Sequence, residues 1–165
     1  MLRQIVLPLL LCISIQVFAQ QTASQQQKEE TAIKTMIEME SRYFWARDFQ
    51  NWKKAWVHAD YAVWIAASRD GIRQYDGWKS WSDNVKTFFE ENPDPVPYDE
   101  NVTKTDYRFR IYGNGAWVSF VQVNSGTRTL ETRIMEKHNG QWKIAMAEII
   151  HDVNETVLEE TQGDQ

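Results

Sequence analysis

The C-terminal part of the chain constrains the fold most strongly, because four strand-like segments follow one another there with only tight turns between them. They are rich in β-branched and aromatic residues and cover 102–112, 116–124, 127–137 and 142–152. Glycine-containing turns separate them at Gly113–Gly115, Ser125–Gly126 and Asn139–Gly140. Short turns of this kind make neighbouring strands antiparallel. The sequence therefore predicts a four-stranded antiparallel meander.

Three helices are predicted ahead of this meander, because apolar residues recur there at helical spacing. Their segments are 28–48, 49–57 and 78–91, the last preceded by Gly77. Between the second and third helices, 61–68 and 72–75 read as a hairpin that turns at Arg69–Asp70–Gly71. Helices that precede a sheet in this way must cover one of its faces, so the predicted fold class is α+β.

The N-terminus has the three-part organisation of a secretory signal. Met1–Arg3 gives a basic start, 5–18 is almost wholly apolar, and the small Ala19 precedes a polar stretch. The apolar run is shorter than the roughly 20 residues of a membrane-spanning helix. We therefore expect a signal peptide over 1–19 with cleavage after Ala19, and no membrane insertion after cleavage.

The remaining boundaries follow from composition. Residues 20–27 form a low-complexity polar stretch predicted to be a disordered linker, 28–153 is the folded domain, and 154–165 is a flexible acidic tail. The single cysteine, Cys12, leaves with the signal peptide. An exported chain without disulfides favours a bacterial envelope, so the expected location is periplasmic or secreted.

The charge of the mature chain limits its partners. Loss of Arg3 leaves 17 basic and 23 acidic residues, a net charge of −6, without a basic run. This balance argues against nucleic acid as a partner. Histidines, cysteines and carboxylates do not occur at the spacings of a metal site, so neither a metal nor another cofactor is predicted.

Three stretches resemble the nuclear transport factor 2-like superfamily, in its SnoaL-like and ketosteroid-isomerase-like branch. They are Phe44–Ala59 with Asp48, Tyr75–Trp78, and Tyr112–Ser119 together with 133–144, which ends in the closing hairpin. The resemblance covers nearly all of 28–153. It implies a curved antiparallel sheet that wraps as a cone around three N-terminal helices, a cystatin-like α+β roll. It also implies a pocket on the concave face and a homodimer through the outer face. This fold hosts isomerases, dehydratases and plain ligand binders, so the resemblance does not select a function.

Glu148 is the first catalytic candidate. Alternation along the last strand places it on one face with Trp142 and Ile144, where burial would raise the pKa of a carboxyl group. It then serves as a base or as an acceptor for a ligand. The alternative is an exposed strand end or an ion pair with Arg133.

His58 and Tyr43 are the other candidates. His58 can act as acid or base with Asp60 as its partner, or it can have a structural role at the end of the second helix. Tyr43 can donate a hydrogen bond to a substrate oxygen. Glu40, flanked by Glu38 and Arg42, is expected at the surface.

The eight tryptophans are the most unusual feature of the composition. Most are expected in the core, but the predicted ligand-binding residues are Trp64, Tyr75, Trp81, Gln122 and Glu148. Flat apolar walls with few polar groups suit a small apolar or aromatic molecule. Four arginines are expected to face solvent or to pair across strands: Arg108, Arg110, Arg128 and Arg133.

Three functions remain open at this point. The leading one is an exported small-molecule-binding protein with an aromatic-lined pocket. The first alternative is a cofactor-free isomerase- or dehydratase-like enzyme that uses a pocket carboxylate or histidine as base. The second alternative is a protein-interaction domain that acts through the outer face of the sheet.

Overall fold

The computed structural model describes the chain from residue 6 to residue 152, with side chains described from residue 23 onward. The predicted acidic tail, 154–165, lies outside the described residues. The predicted cleavage site after Ala19 lies where only the backbone is described. Both therefore remain predictions.

The described residues form four α-helices. They are α1 (Val6–Trp45), α2 (Phe49–Trp52), which continues as a 3-10 turn (Lys53–Ala55), α3 (Gly77–Glu91) and the short α4 (Tyr98–Asn101). α1, α2 with its 3-10 turn and α3 correspond to the three predicted helices, whereas α4 was not predicted. None of the helices in the described part of the chain combines the length and apolar character that a membrane-spanning segment needs.

α1 begins well before the predicted start of the domain. It includes the stretch 20–27, which the sequence predicts as a disordered linker. In its described part, Gln25 and Gln26 donate side-chain hydrogen bonds to Glu29 and Glu30, each four residues ahead and 2.9 Å away. Pairs at this spacing support a helix, which the low-complexity composition alone does not reveal.

Six strands form one sheet in the order β2-β1-β6-β5-β4-β3. Their bounds are β1 Val63–Ser68, β2 Gly71–Asp76, β3 Val102–Tyr112, β4 Gly115–Asn124, β5 Thr127–His138 and β6 Gln141–His151. Neighbouring strands are antiparallel except β1 and β6, which are parallel. The predicted hairpin and four-stranded meander are confirmed, and the parallel contact joins them into one sheet.

The sheet is curved and unclosed, and its concave face packs against the helices. The buried residues of that face include Val118, Phe120, Met135, Ile144 and Ala147, which form one core with Ile33 and Ile37 of α1. The predicted α+β class, with a curved sheet around three N-terminal helices, is confirmed. The core lies between the concave face and these helices.

Gly77 joins the hairpin to α3 in a conformation that few other residues adopt. Its φ is +80°, and a Cβ at this position would lie 3.4 Å from the carbonyl oxygen of Asp60. Its own N–H donates to the carbonyl of Ala62 over 2.8 Å. A glycine is required here because both the positive φ and the close approach disfavour a side chain. This turn sets α3 against β1 and β2.

Candidate functional site

A cavity of about 350 Å³ lies between the first hairpin and α3, at the concave side of the sheet. We call it the aromatic slot. Its lining residues are Phe44, Trp64, Arg73, Tyr75, Trp81, Asn84, Thr87, Phe88 and Glu91. Three of the predicted ligand-binding residues, Trp64, Tyr75 and Trp81, therefore meet in one cavity. Its volume is at the lower end of the range typical of small-molecule sites, about 300–1,000 Å³.

Two groups of rings form the walls of the aromatic slot. Trp64 and Tyr75 are direct partners across β1 and β2. The Trp64 ring stacks on Trp81 with 4.7 Å between centroids, and Tyr75 lies 5.6 Å from Trp81. Phe44 of α1 stacks on Phe88 of α3 at 5.5 Å and lines the same cavity. Flat rings from four elements thus provide apolar contact for a planar molecule.

The indole N–H of Trp81 has no hydrogen-bond acceptor among the described residues. Trp81 is 5 % exposed, and this nitrogen is itself buried. A buried donor without a partner costs about 1–3 kcal/mol. Such atoms are rare in folded proteins and call for an explanation, such as an acceptor on a bound molecule.

Other buried indoles donate to carboxylates of α1. Glu40 Oε1 accepts from Trp52 Nε1 over 2.7 Å and from Trp56 Nε1 over 3.3 Å. Glu40 is 7 % exposed, so the expectation of a surface position is wrong. The helical spacing could have predicted this burial, because Glu40 lies three residues after the buried Ile37 on the same face of α1.

Glu29 holds a third indole at the other end of the described part of α1. Its carboxylate accepts from Lys137 Nζ over 2.7 Å and from Trp142 Nε1 over 2.8 Å. These donors, Lys137 first, hold the pKa of Glu29 below its usual value of 4.5. The contacts fasten α1 to the closing hairpin of the sheet.

Glu38 is the centre of a polar cluster between α1, α4 and β3 that the sequence did not reveal. It accepts hydrogen bonds from the hydroxyls of Tyr98 and Tyr107, and Lys104 Nζ donates to the Tyr98 oxygen over 2.6 Å. Burial raises the pKa of both tyrosines and lowers the pKa of Lys104. The cluster closes one side of the core with its donors paired to one carboxylate.

A buried ion pair lies on the concave face of β5. Arg133 Nη2 donates to Glu131 Oε2 over 2.5 Å, and Thr129 Oγ1 donates to Glu131 Oε1 over 3.1 Å. Arg133 is 5 % exposed, so the expectation that it faces solvent is wrong. Its Nε, like the Trp81 indole, has no acceptor among the described residues. Sheet register places Arg133 beside Ala147, which in turn lies beside Trp64.

Gln122 lies on the concave face of the sheet, as its strand alternation with Phe120 predicts. Its Cα partners are Lys104 on β3 and Thr129 on β5. It is half-buried and is not among the residues that line the aromatic slot. The structure therefore places Gln122 in the polar interior, three strands from Trp64.

Glu148 lies on the convex face, because a β-bulge reverses the alternation of β6. Ile134 pairs with Met146 and Met135 pairs with Ile144, which leaves Ala145 without a partner. Beyond the bulge Ala147 belongs to the core, whereas Glu148 pairs with Ile65 and Thr132 on the opposite face. The interpretation of Glu148 as a pocket base or ligand acceptor has no support in this geometry.

His58 and Tyr43 lie apart from the aromatic slot and from each other. His58 is exposed, stacks on Trp78 at 4.1 Å, and donates from Nε2 to the carbonyl oxygen of Lys53 over 2.7 Å. This is the structural role left open by the sequence.

Within residues 23–152, no three His, Cys, Asp or Glu side chains are arranged to hold a metal ion.

Tyr43 lines a second cavity, a groove of about 550 Å³ between α1, α2 and the closing hairpin. The groove is larger than the aromatic slot, but the ammonium group of Lys54 and the indole of Trp142 have partners there. Lys54 Nζ donates to Asn51 Oδ1 over 2.8 Å, and Trp142 Nε1 donates to Glu29. The aromatic slot is the better candidate site because it combines converging rings with an unpartnered donor.

Comparison with known proteins identifies the fold. No protein-family model matches the chain, and no curated protein matches it. Among solved structures, a nuclear transport factor 2-like protein of unknown function from Silicibacter pomeroyi DSS-3 has a TM-score of 0.61 and 10 % identity, with 77 % of this chain and 98 % of that chain covered. A second such protein, from Shewanella baltica OS155, has a TM-score of 0.56 and 16 % identity, with 76 % and 94 % covered.

A cystatin-like fold protein from Burkholderia xenovorans LB400 is similar to the same extent. Its TM-score is 0.56 and its identity 13 %, with 73 % of this chain and 89 % of that chain covered. Likeness at these identities concerns the fold and not the activity. The chain has a curved α+β fold similar to that of these nuclear transport factor 2-like and cystatin-like proteins.

Proposed function

We propose that this chain is an exported protein that binds a small planar molecule in the aromatic slot. The observation that carries the proposal is the convergence of Trp64, Tyr75 and Trp81 on one cavity, together with the N–H of Trp81, which is buried without a partner among the described residues. The rings supply apolar contact and the indole supplies one directional hydrogen bond. A ligand with an aromatic ring and a carbonyl acceptor fits both requirements.

Binding is favoured over acid–base catalysis because the three catalytic candidates do not converge. Glu148 lies on the convex face, His58 is exposed beside Trp78, and Tyr43 lines the groove. General acid–base chemistry needs its groups within hydrogen-bond reach of one reacting centre. The aromatic slot offers a wall of rings and a donor instead.

Isothermal titration calorimetry with naphthamide, a neutral planar amide, tests the binding proposal. We expect saturable binding to the full mature chain. Trp81→Phe should weaken it about five- to tenfold, the effect of one buried hydrogen bond. Trp78→Phe is the matched control, because Trp78 does not line the aromatic slot, and should leave the affinity unchanged. Absence of binding to the wild type, or equal loss in both variants, would contradict the proposal.

Export rests on the signal-like organisation of residues 1–19. The intact mass of protein recovered from the envelope or medium of the source cell should correspond to a chain that begins at Gln20. Recovery of the full-length chain from the cytosol would refute this part of the proposal.

A second candidate function, assembly with a second copy of the chain, is favoured by the convex face. Val121, Leu130, Ile150, Ala67 and Ile72 are successive partners across five strands and form an apolar row. Three of them are exposed: Leu130 by 47 %, Ile150 by 42 % and Ile72 by 75 %. Rows of exposed apolar side chains mark interaction surfaces.

The next row of the convex face contains Arg108 and Glu148, opposite charges that a twofold-symmetric dimer can bring together. Sedimentation equilibrium should give a dimer for the wild type and a monomer for Leu130→Glu with Ile150→Glu. The control Gln50→Glu adds a charge on α2, away from the sheet, and should stay dimeric. A monomeric wild type would refute assembly through this face.

A further inference from the structure

We infer that the ligand of the aromatic slot is a planar aromatic carboxylate, held by its ring between the walls and by its anionic group at Arg73. The inference rests on the proposed binding function and names its ligand class. The aromatic slot has one cationic side chain, Arg73, and one anionic side chain, Glu91. A ligand that pairs with Arg73 must be anionic, whereas one that pairs with Glu91 must be cationic.

Arg73 is an exposed residue of the aromatic slot. It stands on the concave side of β2, two residues before Tyr75, and its Cα partner is the small Ala66. The alternation of β2 therefore places Arg73 on the same face of the strand as Tyr75. It is exposed, so a ligand reaches it without displacing a buried group.

The side chain of Arg73 makes no hydrogen bond or ion pair within the described part of the chain. By contrast, Arg42 pairs with Asp99 over 2.5 Å, Arg128 with Asp152 over 2.8 Å and Arg133 with Glu131 over 2.5 Å. A guanidinium presents two parallel donors that match a carboxylate. The guanidinium donors of Arg73 are therefore available to a carboxylate in the aromatic slot.

The remaining polar groups agree with an acceptor-bearing ligand. Trp81 contributes a donor without a partner, and the amide of Asn84, one turn further along α3, lines the same wall. Glu91 is the opposing feature, because its carboxylate stands at the last residue of α3 and repels an anion. If the inference is correct, removal of the Glu91 charge must strengthen binding and removal of the Arg73 charge must weaken it.

Calorimetry with three naphthalene probes, substituted at the same ring position, separates charge from shape. The probes are naphthoate, naphthamide and naphthylmethylammonium. We expect naphthoate to bind most tightly and the ammonium most weakly. Arg73→Gln should weaken naphthoate roughly three- to tenfold and leave naphthamide unchanged, as expected for loss of an ion pair at a partly exposed site. Glu91→Gln should tighten naphthoate about two- to fivefold.

Arg110→Gln is the matched control, because Arg110 is exposed on β3 and does not line the aromatic slot. It should leave all three affinities unchanged. Equal binding of the three probes to the wild type, with Trp81→Phe still weakening each, would overturn the carboxylate inference and leave the binding function standing. Tighter binding of the ammonium would also overturn it. If no probe binds, the proposed function and this inference are both refuted.

Discussion

On the α1 side of the core, the buried indoles of Trp52, Trp56 and Trp142 each donate to a glutamate, whereas on the α3 side the buried indole of Trp81 donates to nothing in the described chain. The two regions share residue type and burial. They differ in whether the protein supplies the acceptor. The Glu40 contacts join α1 to α2 and the turn that follows it, and the Glu29 contact joins α1 to β6. Under the proposed function, the Trp81 indole donates its hydrogen bond to the ligand.

The same contrast holds for the two cavities. In the groove beside α1, Lys54 and Trp142 are bonded to Asn51 and Glu29. In the aromatic slot, Trp81 and Arg73 have no partner in the part of the chain that the structure describes. Cavity volume alone would favour the groove. The unpaired indole of Trp81 favours the aromatic slot, because an unpaired buried donor costs free energy until a ligand or water accepts from it.

The largest expected effect comes from removing an acceptor on the α1 side. Glu40→Ala leaves two buried indole donors and a void, so the free energy of unfolding should fall by about 3–5 kcal/mol. Urea denaturation checks this. Glu30→Ala removes a half-buried carboxylate of the same helix that accepts from the exposed Gln26, and it should cost less than about 0.5 kcal/mol. A loss below about 1 kcal/mol for Glu40→Ala would show that the indoles find other partners.

A matched pair of tryptophan replacements sharpens the comparison. Trp52→Phe and Trp81→Phe remove the same atoms from buried positions, but only the first breaks a hydrogen bond to a carboxylate. Trp52→Phe should therefore reduce the free energy of unfolding by about 1.5–3 kcal/mol more than Trp81→Phe. Equal losses in urea denaturation would mean that the Glu40 contact contributes nothing.

The smallest effect concerns Glu29 and depends on pH. Its pKa is held below 4.5 in the folded chain by Lys137 and Trp142, so its contribution is present above that pH and is lost as the pH falls through the folded-state pKa. Glu29→Gln should cost roughly 0.5–1.5 kcal/mol at pH 7. The deficit should shrink as the pH falls below 4.5 and through the folded-state pKa. A deficit that stays constant with pH, or matches that of Glu30→Gln, would contradict this role.

Most of the fold was predictable because short-range signals agree with one another. Glycine turns set the meander, and Gly77 sets the start of α3. The parallel contact of β1 with β6 was not predictable, since it joins segments far apart in sequence. The helicity of 20–27 was also missed, because composition outweighed the spacing of Gln25 and Glu29.

The sequence predicted the aromatic residues of the candidate site but not the positions of its charged residues. Trp64, Tyr75 and Trp81 meet as expected, whereas an unpaired Ala145 moves Glu148 to the other face. A single bulge residue reverses every side chain beyond it.

The orientation of the β5 side chains was also difficult to predict from the sequence. Its concave face carries Glu131 and Arg133, while Leu130 and Ile134 face outward. The usual rule that apolar residues face the core is inverted there. An apolar outer row is what a strand covered by a second chain would show, and a polar inner row keeps charged groups in the interior.

In the proposed complex, the Trp81 indole N–H donates a hydrogen bond to the ligand. Two-dimensional ¹H–¹⁵N NMR of the indole N–H groups tests this directly. Trp81→Phe assigns the Trp81 resonance, and Trp52→Phe assigns that of Trp52. On titration with naphthamide, the Trp81 proton should move downfield as it gains a hydrogen bond, while the Trp52 proton stays in place because Glu40 already holds it. Saturable binding that leaves the Trp81 resonance unmoved, or that moves Trp52 instead, would contradict the account.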